Sequence, residues 1–262
     1  MKSLIIIPAR GGSTRVPNKN LSLLNGKPLI YYSIKAASLL DDVGIIVSTD
    51  STEIANYCES LGVEVPFLRP SNLSSAKSTS ISVIVHVLYE LIKNNCDLPE
   101  IIIFKPPTNP FLTPLSIRKM IDLKKENRDI DSIMSIHIPR VSALSFLSYS
   151  EKDRRIETQI YDIDGCKLYD IERSQDRPLS FASSPACKIT ETHYFIEKYI
   201  NKKISAENSS GPTFNFKNSS GYIINNFEAY DIDTLEDLAI AKLIIQSNEK
   251  VLDKKIFNHI YD

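Results

Sequence analysis

The sequence has few features that would staple it, anchor it or steer it by bulk charge. Its four cysteines, Cys58, Cys96, Cys166 and Cys187, stand at wide and irregular intervals, with no Cys-x-x-Cys and no nearby Cys/His pair. That spacing argues against a zinc cluster and favours buried free thiols in a reducing compartment. Neither sign of charge is in excess: 31 basic and 32 acidic side chains give a net charge of −1. Nucleic acid and membrane surfaces, which need a concentrated basic field, are not expected partners. No stretch approaches the ~20 apolar residues of a membrane span. The apolar run after Met1-Lys2-Ser3 is too short for a signal peptide, so the expected location is the cytoplasm. His86, His137, His193 and His259 are scattered, without triad or ligand spacing; His86 lies in an apolar helical stretch and reads as a packed or surface residue.

What is present is alternation. A chain of 262 residues suits one large domain, or one domain carrying an inserted lobe. Leu4–Ile7 is a four-residue apolar run stopped by Pro8, as in a buried parallel strand. Further strands are expected at Gly44–Ser48, Glu64-Val65, Ile101–Phe104 and Ser132–Ile138. Helices are expected from Leu29, with Pro28 at the first helical position, then up to Leu61 with Asp50 or Ser51 as cap, and over Ile81–Ile92 and Leu115–Lys125. This pattern predicts an α/β fold with a mainly parallel sheet and helices on both faces. Ligands in such folds bind beyond the carboxyl ends of the strands, which selects the loops Pro8–Asn20, Ser48–Ser51 and Pro106–Pro114.

Four segments follow. Residues 1–138 read as the α/β core and 139–190 as an inserted arm or lid, with a β-hairpin over Arg154–Lys167 turning at Asp164-Gly165. Residues 191–250 return to the core, with a polar loop at Asn201–Ser210 that reads as flexible, a strand at Tyr222–Asn225 and a closing helix over Thr234–Gln246. Residues 251–262 form a tail.

The segment richest in chemistry is Ile7-Pro8-Ala9-Arg10-Gly11-Gly12-Ser13-Thr14-Arg15-Val16-Pro17-Asn18-Lys19-Asn20. It follows a buried strand and joins two adjacent glycines to Arg10, Arg15 and Lys19. Glycines let backbone N–H groups approach phosphate oxygens, and the cations neutralise a triphosphate and departing pyrophosphate. The P-loop spacing and the dinucleotide fingerprint are both absent. Far downstream, Asp231 and Asp233 alternate in an extended segment, so both carboxylates can approach one Mg²⁺. Asp233 or Thr234 can also cap the helix that begins near Leu235, a reading that leaves Asp231 without a role.

The glycine loop, together with Leu21 to Leu29, resembles the acylneuraminate cytidylyltransferases, which make CMP-activated sialic acids and related nonulosonic or octulosonic acids. Ile46-Val47-Ser48-Thr49-Asp50 is similar to that family's second strand and turn, and Leu68-Arg69-Pro70-Ser71-Asn72-Leu73 to its Leu-Arg-Pro-x-x-Leu loop. Pro107-Thr108-Asn109-Pro110 resembles its Pro-Thr-Ser-Pro turn, and Asp231-Ile232-Asp233-Thr234 with Asp237 its Asp-Ile-Asp-Thr-x-x-Asp box. The resemblance implies a Rossmann-like nucleotidyltransferase fold with a small β-containing dimerisation arm, and a homodimer. It implies CTP as co-substrate, Mg²⁺ as cofactor and an acidic sugar as acceptor. Ala9, Arg10, Gly11, Gly12, Ser13, Arg15, Lys19, Asn20 and Arg69 would bind the nucleotide, with Asn20 near ribose or phosphate and Arg69 near the base. Arg10, Lys19 and Asp233 would carry catalysis; Asp231 and Asp233 would hold the metal; Arg173, Thr108 and Asn109 would meet the sugar.

The acceptor half departs from the family pattern. Ala76 stands where an Asp is usual, Pro106 where a Gln precedes the turn, and Leu112 where an Arg follows it. Ser184-Pro185-Ala186-Cys187-Lys188 replaces an Asn-Gly-Ala-x-Tyr segment. Lys105 could replace a lost polar contact, but the preferred reading is a solvated strand end. Three functions remain open: activation of a sugar acid, nucleotidyl transfer to a sugar or alditol phosphate, and nucleotide binding with reduced or lost catalysis.

Overall fold

The computed structural model describes residues 2–13, 15–75, 77–141, 147–150, 156–158, 162–163, 166–167, 173, 176, 178–247 and 260. The chain begins with β1 (Ser3–Pro8), a two-strand hairpin of β2 (Leu23–Leu24) and β3 (Lys27–Pro28), α1 (Leu29–Ser38), β4 (Val43–Ser48) and α2 (Thr52–Ser60). It continues through α3 (Ser80–Lys93), β5 (Ile101–Phe104), α4 (Pro114–Glu126) and β6 (Ser132–His137). Short strands β7 (Leu147–Tyr149), β8 (Ile156–Thr158), β9 (Asp162–Ile163) and β10 (Cys166–Lys167) precede β11 (Ala182–Glu191), α5 (Thr192–Phe195), β12 (Ser219–Ile223) and α6 (Leu235–Gln246).

The central sheet has the order β12-β6-β11-β5-β1-β4. β1 pairs parallel with β4 and β5, β12 pairs parallel with β6, and β11 runs antiparallel between β5 and β6. Five strands therefore point one way. The alternation of β1 explains the layers. Ile5 and Ile7 pack with α1, α2 and α4 residues such as Ile34, Ile54 and Ile117, while Leu4 and Ile6 pack with α3 residues such as Ile84 and Leu88. All four side chains are buried, each contributing about 1.5–3 kcal/mol of transfer free energy. A third cluster seats α6 against the start of α1, through Leu29, Tyr32, Ile232, Leu238 and Ala241. Tyr31 is partly buried beside Tyr32, against the same cluster.

Several expectations change. Pro28 is the N-cap of α1, not its first residue, because it still pairs with Leu23 across the hairpin. That hairpin turns at Asn25 and Gly26, both at positive φ (48° and 79°), the geometry that favours Asn-Gly. Glu64 makes only a single parallel bridge to Ile46, so no third strand forms there. The arm boundary is the larger correction: residues 182–190 belong to β11, in the middle of the main sheet. Pro185 hides this strand, since proline cannot donate to a ladder. The register between β11 and β6 shifts between Ser183 and Lys188, a bulge that removes the demand for a donor at Pro185. The Ser135 hydroxyl fills the gap, lying 2.9 Å from the Cys187 carbonyl and 3.1 Å from that of Ser184, and accepting from Cys187 N at 3.1 Å.

Within the arm, β9 pairs with β10 as the expected hairpin requires, but β8 pairs with β7, so that hairpin does not extend back to residue 154. The turn at Asp164-Gly165 lies outside the described residues. The polar stretch 201–210 consists of turns tied to the body: Thr79 donates to Ser209 O at 3.1 Å, Tyr199 to Ser210 O at 2.8 Å and Tyr89 to Ile204 O at 3.0 Å. Of the tail, Ile260 alone is described, buried in the α6 cluster.

Candidate active site

The loops after β1, β4 and β5 converge beyond the carboxyl ends of their strands, where the sheet order makes β1 the switch point between β4 and β5. The loops after β1 and β5 line a cleft of about 260 Å³ together with the chain that leads into α3, whereas the expected loop Ser48–Ser51 contributes no lining residue. Arg10, Ser13, Lys19 and Asn20 come from the first loop, Arg69 and Ser75 from the chain before α3, Thr79 from its start, and Pro106, Pro107 and Thr108 from the loop after β5.

The glycine loop is held by its ends. Ala9 N donates to Ser48 O at 2.9 Å, which continues the β1–β4 ladder, and Ala9 is fully buried. Gly11 N donates to Asp50 Oδ1 at 2.9 Å. A Cβ on Gly11 would lie 3.0 Å from Ser51 Cβ, whereas one on Gly12 would meet nothing within 4 Å. Gly11 therefore has little room for a side chain beside Ser51, while Gly12 has room to spare. Among the described residues, the amides of Gly12 and Ser13 have no intramolecular partner, which leaves them available to an anion. Asn20 is buried and its Nδ2 donates to Arg10 O at 2.9 Å, closing the loop on itself.

The cations are already organised. Arg10 Nη1 donates to Ser75 O at 2.8 Å. Lys19 Nζ donates to Ile232 O at 3.0 Å and to Asp233 Oδ1 at 2.8 Å, while Arg15 Nη1 reaches Asp233 Oδ2 at 3.2 Å. Arg69 is buried; its Nε donates to Ser74 Oγ at 3.1 Å and its Nη2 lies 4.0 Å from Asp50 Oδ1. Burial lowers the Arg69 pKa, Asp50 opposes this, and Arg10 adds to it. An arginine so placed keeps its charge and its flat donor fork.

Asp231 and Asp233 flank the buried Ile232, so the alternation places both carboxylates off the core side. Their surroundings differ. Asp233 carries the two ion pairs, whereas burial pushes the Asp231 carboxyl up from 3.8, with Thr108 hydrogen bonding against that rise and Asp233 adding to it. Asp231 Oδ1 is buried with no hydrogen-bond partner among the described residues. A buried carboxylate oxygen left open beside a second carboxylate is what a hard divalent cation requires. The helix cap belongs to neither aspartate: Thr234 Oγ1 accepts from Asp237 N at 3.1 Å and the Asp237 carboxylate accepts from Thr234 N at 2.8 Å. Another group, Asp131, Glu191 and His193, has ligating atoms within 4.8 Å of one another, but it sits at the opposite end of the sheet and Glu191 is already paired with Lys124 at 2.5 Å.

The remaining expected residues divide. Thr108 lines the cleft, and its carbonyl accepts from Ile232 N at 2.8 Å. Asn109 does not reach the cleft: it is fully buried and its Nδ2 is spent on Tyr230 O (3.0 Å) and Ala229 O (3.4 Å). Arg173 is exposed, chelates Asp176 at 2.8 and 3.2 Å, and is not brought to the cleft. Ala76 lies outside the described residues, Pro106 lines the cleft, and Leu112 is a core residue. His86 is packed edge-on against Phe67 at 5.3 Å, and burial lowers its pKa. Lys105 is not a solvated strand end: its exposure is 0%. Burial pulls its ammonium down from 10.5 to about 7, opposed by the Cys187 thiol.

Sequence reasoning missed Asp50 as the clamp on Gly11, because Asp50 also reads as a cap for α2; that cap is Ser51, which accepts from Ile54 N. It also missed Ser75, Ser78 and Thr79 on the cleft wall. The signal was there: a run of hydroxyl residues before an apolar helix marks a helix N-terminus, which favours anions.

Residues 4–205 match the sequence profile of the cytidylyltransferases. The chain belongs to the cytidylyltransferase family. As a cytidylyltransferase it is a nucleotidyl-transferring enzyme. It is 28% identical over 256 residues to the CMP-N,N'-diacetyllegionaminic acid synthase of Legionella pneumophila, covering 96% of this chain and 100% of the relative. It is 27% identical over 256 residues to a pseudaminic acid cytidylyltransferase of Campylobacter jejuni, covering 95% and 99%. Among solved structures, a CMP:2-keto-3-deoxy-manno-octonic acid synthetase complexed with CTP superimposes with a TM-score of 0.65 at 15% identity, covering 95% of this chain and 100% of that one. A 4-diphosphocytidyl-2C-methyl-D-erythritol synthase of Anaerococcus prevotii superimposes with a TM-score of 0.56 at 13% identity, covering 93% and 98%. These two likenesses speak to the shared fold of the cytidylyltransferase.

Proposed function

We propose that this cytidylyltransferase couples CTP to a 2-keto sugar acid of the nonulosonic or octulosonic class, giving a CMP-sugar and pyrophosphate. The observation that carries the reading is the junction of Lys19 with Ile232 O and Asp233, which brings the cationic glycine loop onto the carboxylate pair. The names of the full-length relatives, a legionaminic acid synthase and a pseudaminic acid cytidylyltransferase, support the acceptor class.

In this reaction the anomeric hydroxyl oxygen of the sugar acid attacks the α-phosphorus of CTP and its proton passes to solvent. The α-phosphorus to β-bridging-oxygen bond breaks, and pyrophosphate leaves with the electron pair. The chain contributes position and charge. Arg10, Arg15 and Lys19, with the open amides of Gly12 and Ser13, are suited to take the phosphates. Arg69 and the hydroxyls of Ser75 and Ser78 are suited to the base and ribose end of the cleft. Asp231 and Asp233 would hold Mg²⁺, which supplies Lewis-acid stabilisation of the phosphate charge when bound. Thr108 is the acceptor-side contact best supported by position. Arg173, exposed and paired with Asp176, is given no part in the step.

A homodimer in which the arm before β11 contributes to the interface is supported by the exposed apolar side chains of Leu179 and Phe181 at its end; light scattering that returned a monomer would remove it. A cytoplasmic location is supported by the free, buried thiols of Cys58 and Cys187.

The test is pyrophosphate release from CTP and Mg²⁺ with a panel of nonulosonic acids, octulosonic acids and alditol phosphates. Release with at least one sugar acid is the expected result. Release with an alditol phosphate alone, or with no acceptor at all, would overturn the proposal.

A further inference from the structure

Lys105 is a lysine at the end of β5 with no exposed surface, and among the described residues no carboxylate pairs with it. A buried amine in that position is costly, and methionine or leucine would fill the space without the cost. The amine must therefore be judged by what it holds. Its Nζ donates to Ser33 Oγ at 2.8 Å and lies 3.4 Å from Asn109 O. Ser33 Oγ in turn donates to Pro106 O at 3.3 Å. One side chain thus reaches both ends of the turn 106–109, directly at Asn109 and through Ser33 at Pro106. Pro106, Pro107 and Pro110 have no N–H, so this turn has few donors of its own.

The other side of the same turn carries the aspartate segment. Thr108 O accepts from Ile232 N at 2.8 Å, Asn109 Nδ2 donates to Tyr230 O at 3.0 Å, and the Thr108 hydroxyl bears on the Asp231 carboxylate. Every contact between the Lys105 amine and Asp231 runs through backbone or short side chains, so displacement at one end is transmitted to the other.

We propose that Lys105 is a positioning residue for the transfer reaction, which sets the place of the Asp231 carboxylate through Ser33 and the turn 106–109. The inference rests on the reading of Asp231 as a metal-holding group. Lys105 touches no reacting atom; it acts on the site from beneath.

The experiment compares the full chain with Lys105→Met, Ser33→Ala and Asp231→Asn. Mn²⁺ binding is followed by electron paramagnetic resonance in the presence of CTP, alongside kcat, the KM for CTP at saturating metal and the Mg²⁺ activation constant. Lys105→Met and Ser33→Ala are expected to weaken Mn²⁺ binding and raise the Mg²⁺ constant about 10- to 100-fold, with the KM for CTP little changed; the melting temperature is not lowered in Lys105→Met but falls in Ser33→Ala, which leaves the buried amine without its hydroxyl partner. A purely structural role would leave the metal constants alone in both folded variants, whatever happens to the melting temperature. Should Lys105→Met fail to fold, Ser33→Ala decides the matter, since it removes a hydroxyl and nothing larger. Unchanged metal constants in the folded variants overturn the positioning role. If Asp231→Asn also binds Mn²⁺ as the parent does, the metal reading itself falls; if only Asp231→Asn loses it, the positioning inference falls alone.

Discussion

The Lys105→Met variant should be more stable than the parent, and by an amount that depends on pH in a specific direction. At pH values below about 7 the amine is protonated in both the folded and the unfolded chain, and the burial cost is complete. Between about 7 and 10.5 the unfolded chain holds a proton that the folded chain lacks. Stability attributable to this group therefore rises with pH across that window. The full span corresponds to on the order of 5 kcal/mol, at about 1.4 kcal/mol for each pH unit separating the two pKa values. Between pH 6 and 8.5 alone the gain is about 2 kcal/mol.

Buried thiols and phenols push in the opposite sense at higher pH, Tyr32 among the phenols. Burial raises the thiols of Cys58 and Cys187 from 9.0 to about 12, so ionisation of the unfolded chain costs stability from pH 9 upward. Measurement below that range separates the effects. Urea unfolding at pH 6, 7 and 8.5 provides the assay. The parent should gain stability across the series relative to Lys105→Met, and the variant should lead most at pH 6. Parallel curves for the two proteins would refute the reasoning, because they would mean that the folded chain holds its proton as tightly as the unfolded one.

Other outcomes follow from single contacts. Gly11→Ala crowds Ser51, since its Cβ would lie 3.0 Å from Ser51 Cβ, whereas Gly12→Ala meets nothing within 4 Å; a thermal melt without ligand should fall for the first and hold for the second, and equal falls would contradict the geometry. Lys19→Met removes a charge-assisted contact within the cleft and should weaken CTP binding about 10- to 100-fold by calorimetry. Asp231→Asn should raise the melting temperature at neutral pH while abolishing turnover. Burial lifts the Asp231 carboxyl above 3.8, so the ionised form costs stability once pH passes through that raised value, and the amide escapes the cost. Thr234→Ala loses the capping box with Asp237 and should cost about 1 kcal/mol of urea-unfolding free energy.

The parts of this protein that were legible in sequence are those where local pattern and tertiary demand agree. Leu4–Ile7, Gly44–Ser48 and Ile101–Phe104 are apolar throughout because both faces of those strands are covered, and they became β1, β4 and β5. The helices over 81–92 and 115–125 carry their caps, Thr79 and Thr113, just ahead of them. Where the two demands diverge, the reading failed. β11 contains a proline and alternates weakly, and only the bulge against β6 and the Ser135 hydroxyl make it acceptable in the middle of a sheet. Lys105 failed for the converse reason. A lysine beside three prolines has the local look of a surface turn, and its burial is imposed by α1 and β11 from remote parts of the chain.

The candidate site shows the same division at the level of pairs. The residue types in the glycine loop and in the aspartate segment were each informative, but nothing local says that they touch. Lys19 and Asp233, 214 positions apart, meet at 2.8 Å. Ile232 is the reason. Its burial against Leu29, Tyr32 and Leu238 pins the segment between the two aspartates, and the backbone bond from Ile232 N to Thr108 O fixes its height over the cleft. The loop is fixed independently, by Asp50 on Gly11 and by Asn20 on Arg10. Two separately anchored segments bring cations and carboxylates together before any ligand arrives, so the charges that would otherwise repel within each segment neutralise one another across the cleft. A triphosphate entering there competes for Arg15 and Lys19, and each cation it takes leaves Asp233 freer to accept a metal. On the proposed reading, nucleotide and metal therefore favour each other's binding.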